Sequence, residues 1–247
     1  MKEKAETIYN EIPELAIVEK KYKGSEETKG VRSFVLRTTP LHTFQVDAVR
    51  NYYSHYGLTY KNEIINYKDV FNNDNPVIVE IGFGMGVSTV RIAKTRSEYN
   101  YIGIEVFLNG FTKTLSDVGN DKIENVRLMR FDAISVLNDM LEDNSLAGFH
   151  IFFPDPWPKK KHNKRRLIQD SFASLLAKKL KKSGYIYCVT DWEEYAEQIM
   201  EVFNNIDGIK NPYEGYAPSR DWRPTTKYET RGVDLDYKIS EVWFEKE

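Results

Sequence analysis

The stretch Val77-Ile78-Val79-Glu80-Ile81-Gly82-Phe83-Gly84-Met85-Gly86 decides the fold of this 247-residue chain. Val77 to Val79 is a continuous β-branched run, the pattern of a strand covered on both faces. The glycines that follow free the backbone to turn sharply and to approach a ligand closely. Ser88 can then cap a helix carrying Val90, Ile92 and Ala93. Strand, glycine loop and helix make one unit, and the same order recurs down the chain. Tyr101 to Val106 reads as a second strand, followed by Phe107, Leu108, Phe111, Leu115 and Val118 at helical spacing. Val126 to Phe131 is a third, before a helix marked by Ile134, Leu137 and Leu141. Phe149 to Phe153 is a fourth. The helix from Asp170 to Lys182 carries Phe172, Leu175, Leu176 and Leu180, and it ends in lysines before Gly184, which suits the helix dipole and a glycine cap. Tyr185 to Val189 is a fifth strand, before a helix through Tyr195, Ile199, Val202 and Phe203. Five such units predict an α/β fold with a doubly wound, mostly parallel sheet and helices on both faces. Tyr237 to Phe244 reads as a closing antiparallel strand, and Phe44 to Tyr56 as an N-terminal helix.

Composition agrees with a globular chain: 41% hydrophobic and 29% charged residues. No apolar run approaches the ~18 residues that cross a bilayer, and the first ten residues lack the apolar core of a signal peptide. The single cysteine, Cys188, lies inside an apolar strand, so the reading is a buried hydrophobe in a reducing, cytoplasmic setting with no metal site. Residues 1–30 are charged and poor in core residues toward their end, which predicts a mobile tail ahead of a single domain over 31–247. Nothing in the sequence points to an obligate protein partner or to a membrane.

In doubly wound sheets ligands sit at the carboxyl ends of the strands. Those ends carry Glu80, Glu105, Asp132, Asp155 and Asp191, five acids along one edge. Each of Glu80, Glu105, Asp132 and Asp191 can also be read as a cap for the helix after it. Gly82, Gly84 and Gly86 are spaced G-x-G-x-G, and Val87 stands where a dinucleotide loop needs its third glycine. The loop resembles instead the first motif of S-adenosylmethionine methyltransferases. Glu105 comes 23 residues after Gly82, placed to accept ribose hydroxyl protons, and Asp132 stands where this fold class holds an adenine amino group.

After the fourth strand comes Pro154-Asp155-Pro156-Trp157-Pro158. Three prolines stiffen the backbone and keep Asp155 out of helical geometry, so the loop can aim a carboxylate. Trp157 reads equally as platform or core. Six of the eight residues from Lys159 to Arg166 are lysine or arginine, in a chain whose net charge is only −2. A local cationic cluster beside a ligand edge fits a polynucleotide substrate; a solvated charged face is the plainer reading.

The segment Pro154 to Arg166 resembles the signature of the bacterial tRNA (guanine-N7-)-methyltransferases. Arg32-Ser33-Phe34-Val35-Leu36-Arg37, Glu80 to Gly86, and Arg223 to Gly232 agree with it. The resemblance implies a Rossmann-like methyltransferase fold, S-adenosylmethionine as cofactor, and tRNA as partner, methylated at N7 of the variable-loop guanine, position 46. It implies that Glu80, Gly82, Gly84, Gly86, Glu105, Asp132 and Asp155 bind the cofactor, with Asp155 catalytic. It implies substrate contacts from Lys159, Asp191, Thr226, Lys227, Tyr228 and Glu229. Lys161, His162, Asn163, Lys164, Arg165 and Arg166 would meet RNA. Two alternatives remain open: a methyltransferase acting on an exocyclic amino group of a nucleic acid, and a non-catalytic RNA-binding module on the same fold.

Overall fold

The side chains of the central strands alternate between two apolar layers, and this alternation places helices on both faces. The computed structural model describes residues 2–23, 32–36, 39–225, 229 and 238–247. The chain begins with β1 (Lys2–Glu3), α1 (Ala5–Glu11), a 3-10 turn Pro13–Ala16 and α2 (Ile17–Lys23). It continues through β2 (Leu41–His42), α3 (Thr43–Tyr56), β3 (Gly57–Leu58) and α4 (Tyr67–Phe71). The repeating units are β4 (Val77–Ile81), α5 (Val87–Thr95), β5 (Asn100–Ile104), α6 (Leu108–Asn120), β6 (Val126–Met129) and α7 (Ala133–Met140). They go on as β7 (Leu146–Phe152), α8 (Asp170–Lys179), β8 (Leu180–Thr190) and α9 (Glu193–Asn204). The short β9 (Ile209–Lys210) and β10 (Ser240–Lys246) close the sheet.

The eight-stranded sheet has the order β3-β6-β5-β4-β7-β8-β10-β9. It is parallel from β3 to β8, and β10 runs antiparallel to both β8 and β9. Strand β4 pairs with β5 on one side and β7 on the other, so the winding direction reverses there. That reversal opens a crevice at the carboxyl ends of β4, β5 and β7. Val79, Ile102 and Met129 point into one layer with α7, α8 and α9; Ile78, Tyr101 and Leu128 point into the other with α3, α5 and α6. Both faces of these strands are dry, which is why their sequences are continuous apolar runs.

Three expectations differ from the structure. Helix α5 is capped by Gly86, at φ +72°, and Ser88 is buried inside the helix. A Cβ on Gly86 would lie 2.2 Å from Oγ1 of Thr114, so close packing against α6 also demands glycine there. Helix α8 ends at Lys179, and the left-handed residue after it is Ser183 rather than Gly184. Finally, the expected tail 1–30 is folded over its described part. Ile8, Leu15 and Val18 are fully buried, and Glu19 pairs with the buried Arg130 at 2.5 Å. The charges of Glu19 to Lys23 masked this in the sequence, because amphipathic side chains cover apolar surface while their charged ends find partners.

Candidate ligand-binding edge

A cavity of about 320 Å³ opens at the crevice, lined by Gly82, Glu105, Asp132 and Asp155 together with Phe34, Phe107, Phe131 and Phe153. Its size falls in the range of small-molecule sites, and its wall mixes aromatic side chains with a few carboxylates, as such sites do. Glu80, Gly84, Gly86 and Asp191 stand off this wall.

The glycine loop is shaped by its backbone. Gly82 and Gly84 adopt φ +74° and +56°, with open space where a Cβ would be. The loop is fixed from the next strand: Oε2 of Glu105 accepts the N–H of Gly84 at 2.8 Å. Oε1 accepts the N–H groups of Val106 at 2.7 Å and Phe107 at 2.9 Å. Burial raises the Glu105 carboxyl pKa, and these three hydrogen bonds oppose the rise; the charge of Asp155 adds to it. A carboxylate has about four acceptor positions, so Glu105 retains room on Oε2 for a ligand hydroxyl.

Glu80 lies fully buried behind the loop, and its Oε2 has no hydrogen-bond partner among the described residues. Burial pushes its pKa up to about 7, with the Thr89 hydroxyl opposing and Glu105 reinforcing. An unpaired buried carboxylate is costly and is relieved by a proton or a bound cation. Asp132 does cap α7: its Oδ2 accepts the backbone N–H of Ser135 at 2.9 Å and the Ser135 hydroxyl at 2.8 Å. It lines the cavity as well, so the cap and the ligand wall share one side chain.

Asp155 lines the same cavity and is exposed. Its loop is strained on both sides, with Phe153 at φ +52° and Trp157 at φ +44°. Left-handed conformations of bulky residues cost of order 1–3 kcal/mol each and persist only when surroundings enforce them. Phe153 is tied to β8, its N–H donating to the Val189 carbonyl at 2.7 Å, and around Trp157 the enforcing groups come from the basic run. The Arg165 guanidinium lies 3.8 Å from the Trp157 ring centroid and donates to the carbonyls of Arg32 at 3.0 Å and Phe34 at 3.5 Å. Arg166 is buried; it donates to the Pro156 carbonyl at 2.8 Å and to Gln198 at 2.6 Å, and stacks on Tyr195. Asn163 bonds Glu194 at 3.1 Å. High charge density therefore did not keep the run out of the interior. Lys159, Lys160, Lys161 and Lys164 are the members left exposed. His162 packs edge-on to Trp157, and partial burial with the neighbouring cations Lys161 and Arg165 lowers its pKa.

Asp191 is half-buried after β8 and leaves the capping of α9 to Trp192, which makes no side-chain cap. Glu229 is buried in an ion pair with Arg223 at 2.6 Å, and Arg223 also meets Glu241 at 2.9 Å. Thr226, Lys227 and Tyr228 lie outside the described residues. The wall also holds Ser33, Phe34 and Val35, which the sequence marked only through the motif Arg32–Arg37, and Phe131, whose one signal was its place before Asp132.

A family model described as "Putative methyltransferase" matches residues 74–242. A tRNA (guanine-N(7)-)-methyltransferase of Francisella philomiragia is 43% identical over 222 residues, covering 90% of this chain and 97% of the relative. One of Chromobacterium violaceum is 46% identical over 218 residues, covering 88% and 96%. The solved 30S ribosomal A1408 methyltransferase from an uncultured bacterium shares the fold at a TM-score of 0.50 and 15% identity, over 73% of this chain and 92% of that one.

Proposed function

Because this chain belongs to the tRNA (guanine-N(7)-)-methyltransferase family, we propose that it transfers a methyl group from S-adenosylmethionine to N7 of the variable-loop guanine, position 46, of tRNA. The observation that carries this reading is the convergence on one cavity of Gly82, Glu105, Asp132 and Asp155, with exposed lysines following Asp155 in the chain. The cavity fits the donor's chemistry. Asp132 can accept from the adenine amino group and Glu105 from a ribose hydroxyl.

When bound, S-adenosylmethionine supplies a sulfonium methyl group open to nucleophilic attack. Guanine N7 has an in-plane lone pair and no proton, so Asp155 has no proton to abstract. Its work is to hold the edge of the base and to offset the positive charge that grows on the purine. The strained, proline-rich loop serves this by fixing the carboxylate before substrate arrives. Lys159, Lys161 and Lys164 would meet phosphates, while Arg165 and Arg166 keep the loop in shape from within. Among the described residues no helix is long and apolar enough to cross a membrane. The reading puts the reaction in the cytoplasm, where tRNA is modified.

The test is incubation of the purified chain with labelled S-adenosylmethionine and unmodified tRNA, followed by nucleoside analysis. The expected product is labelled 7-methylguanosine, lost when the guanine at position 46 is replaced. Label in another nucleoside would overturn the target, and no label in any tRNA would overturn the reaction.

A further inference from the structure

The N-terminal segment crosses the rim of the sheet at the end of β6. Ile8 and Leu15 belong to the apolar layer of α3 and α6, whereas Val18 belongs to the opposite layer. The crossing is pinned by Arg130, which donates to the Leu15 carbonyl and to both oxygens of Glu19, at 2.8 and 2.5 Å. Arg130 stands two residues before Asp132, so the segment grips the strand end that carries a cavity acid. There the Tyr22 hydroxyl donates to Oδ2 of Asp132 at 3.0 Å. With the backbone N–H and hydroxyl of Ser135 on the same oxygen, Oδ2 has three donors and is saturated. Lys21 completes the arrangement by donating to the Ser135 hydroxyl at 2.6 Å, with its ammonium 5.1 Å from the Phe131 ring centroid. Phe34, on the cavity wall, meets Tyr22 edge-on at 5.3 Å.

We propose that Tyr22 is a positioning residue of the methyl-donor site: by occupying Oδ2 of Asp132 it holds the carboxylate so that Oδ1 accepts the adenine amino group. The inference rests on the methyl-donor reading given above. It gives the first 23 residues a part in cofactor selection. Tyr22 itself touches no reacting atom; it acts through Asp132, and its loss loosens a carboxylate that a nucleobase must find already aimed.

The test uses the full chain and S-adenosylhomocysteine as a non-reacting probe, titrated by calorimetry. Tyr22→Phe keeps the ring and removes only the hydroxyl. It is expected to weaken binding about three- to tenfold, the scale of one net hydrogen bond. The KM for the methyl donor should rise in parallel, with kcat at saturation unchanged. The deciding probe is S-inosylhomocysteine, in which an oxo group replaces the adenine amino group. Against it the unaltered chain and Tyr22→Phe should bind alike. Equal binding of S-adenosylhomocysteine by both chains would overturn the inference, even if the variant melts earlier, since that marks a merely structural tyrosine. A penalty of the same size with both probes would also overturn it. Failure of the unaltered chain to bind S-adenosylhomocysteine would instead bring down the methyl-donor reading, and this inference with it.

Discussion

The loop after β4 and the loop after β7 leave the same edge of the sheet, yet they are held in opposite ways. The first is shaped by its own backbone: glycines at positive φ, one N–H tied to Glu105, and open space where side chains on Gly82 and Gly84 would be. The second is shaped by side chains from its own sequel. Prolines stiffen it, Phe153 and Trp157 take left-handed conformations, and two arginines clamp it from beneath and beside. The difference teaches that a run of cations is not a charged surface. Arginine, planar and rich in donors, can bond carbonyls and stack on rings inside the protein, whereas lysine stays at the surface as a point charge. Within one stretch of eight residues the two cations are sorted in this way.

The largest expected effect tests that sorting. Arg166→Met keeps much of the volume but removes the bonds to the Pro156 carbonyl, Gln198 and Glu194. It should cost roughly 3–4 kcal/mol of stability in chemical denaturation, because the buried guanidinium's hydrogen bonds and its packing on Tyr195 are lost together. A loss below about 1 kcal/mol would mean that Arg166 is a surface cation after all.

The counterpart on the side of the first loop is Glu80, in β4 just before it. Its folded pKa of about 7 stands above the ordinary value of 4.5. A raised carboxyl pKa gives stability that is fully present below the ordinary value and is lost as pH rises through 7. Glu80→Gln removes the ionisation, so the variant free of ligand should equal the parent near pH 4 and exceed it at pH 8, by up to about 3 kcal/mol. Parallel melting temperatures from pH 5 to 8 would show that the buried carboxylate already has a compensating partner.

The second loop carries Asp155 to the cavity that Gly82 of the first also lines. Asp155→Ala is expected to lower turnover at least ~100-fold, about 2.7 kcal/mol. Affinity for S-adenosylhomocysteine should change much less if Asp155 serves the base, as proposed; an equal loss of affinity would make it a cofactor ligand. Near-normal turnover would remove Asp155 from the mechanism and leave the strained loop without a catalytic purpose.

Much of this architecture was legible in the sequence because its signals are local. Val77 to Gly86 specifies strand and loop by itself, and the acids at the strand ends follow from the period of the βα units. What escaped was long-range. Tyr22 meets Asp132 across 110 positions, and Arg165 reaches the carbonyl of Arg32 across 133. No spacing rule reports such contacts. The N-terminal segment reads as a tail in the sequence for the same reason: its large core residues, Ile8, Leu15 and Val18, are too widely spaced among charges to form one periodic face. The capping of α5 was misread because a buried Ser88 and a left-handed Gly86 are equally good starts until the packing on Thr114 selects one.

The smallest expected effect on the protein itself is the most informative about RNA. Lys159, Lys161 and Lys164 are exposed, the first capping and the others lying in the 3-10 turn Lys160–Arg165 that follows the strained loop. Replacing all three by alanine should leave stability within about 0.5 kcal/mol per site, because exposed lysines contribute little to folding. Binding of tRNA should weaken, and its dependence on salt should flatten by roughly 0.7–0.9 log units per lost phosphate contact. The same measurement on Arg166→Met separates the two kinds of cation. If the arginine is an internal strut, that variant changes stability and loop shape while the salt slope stays near the parent's. If the slope falls there too, Arg166 counts among the phosphate contacts, and the division between lysine and arginine drawn above fails.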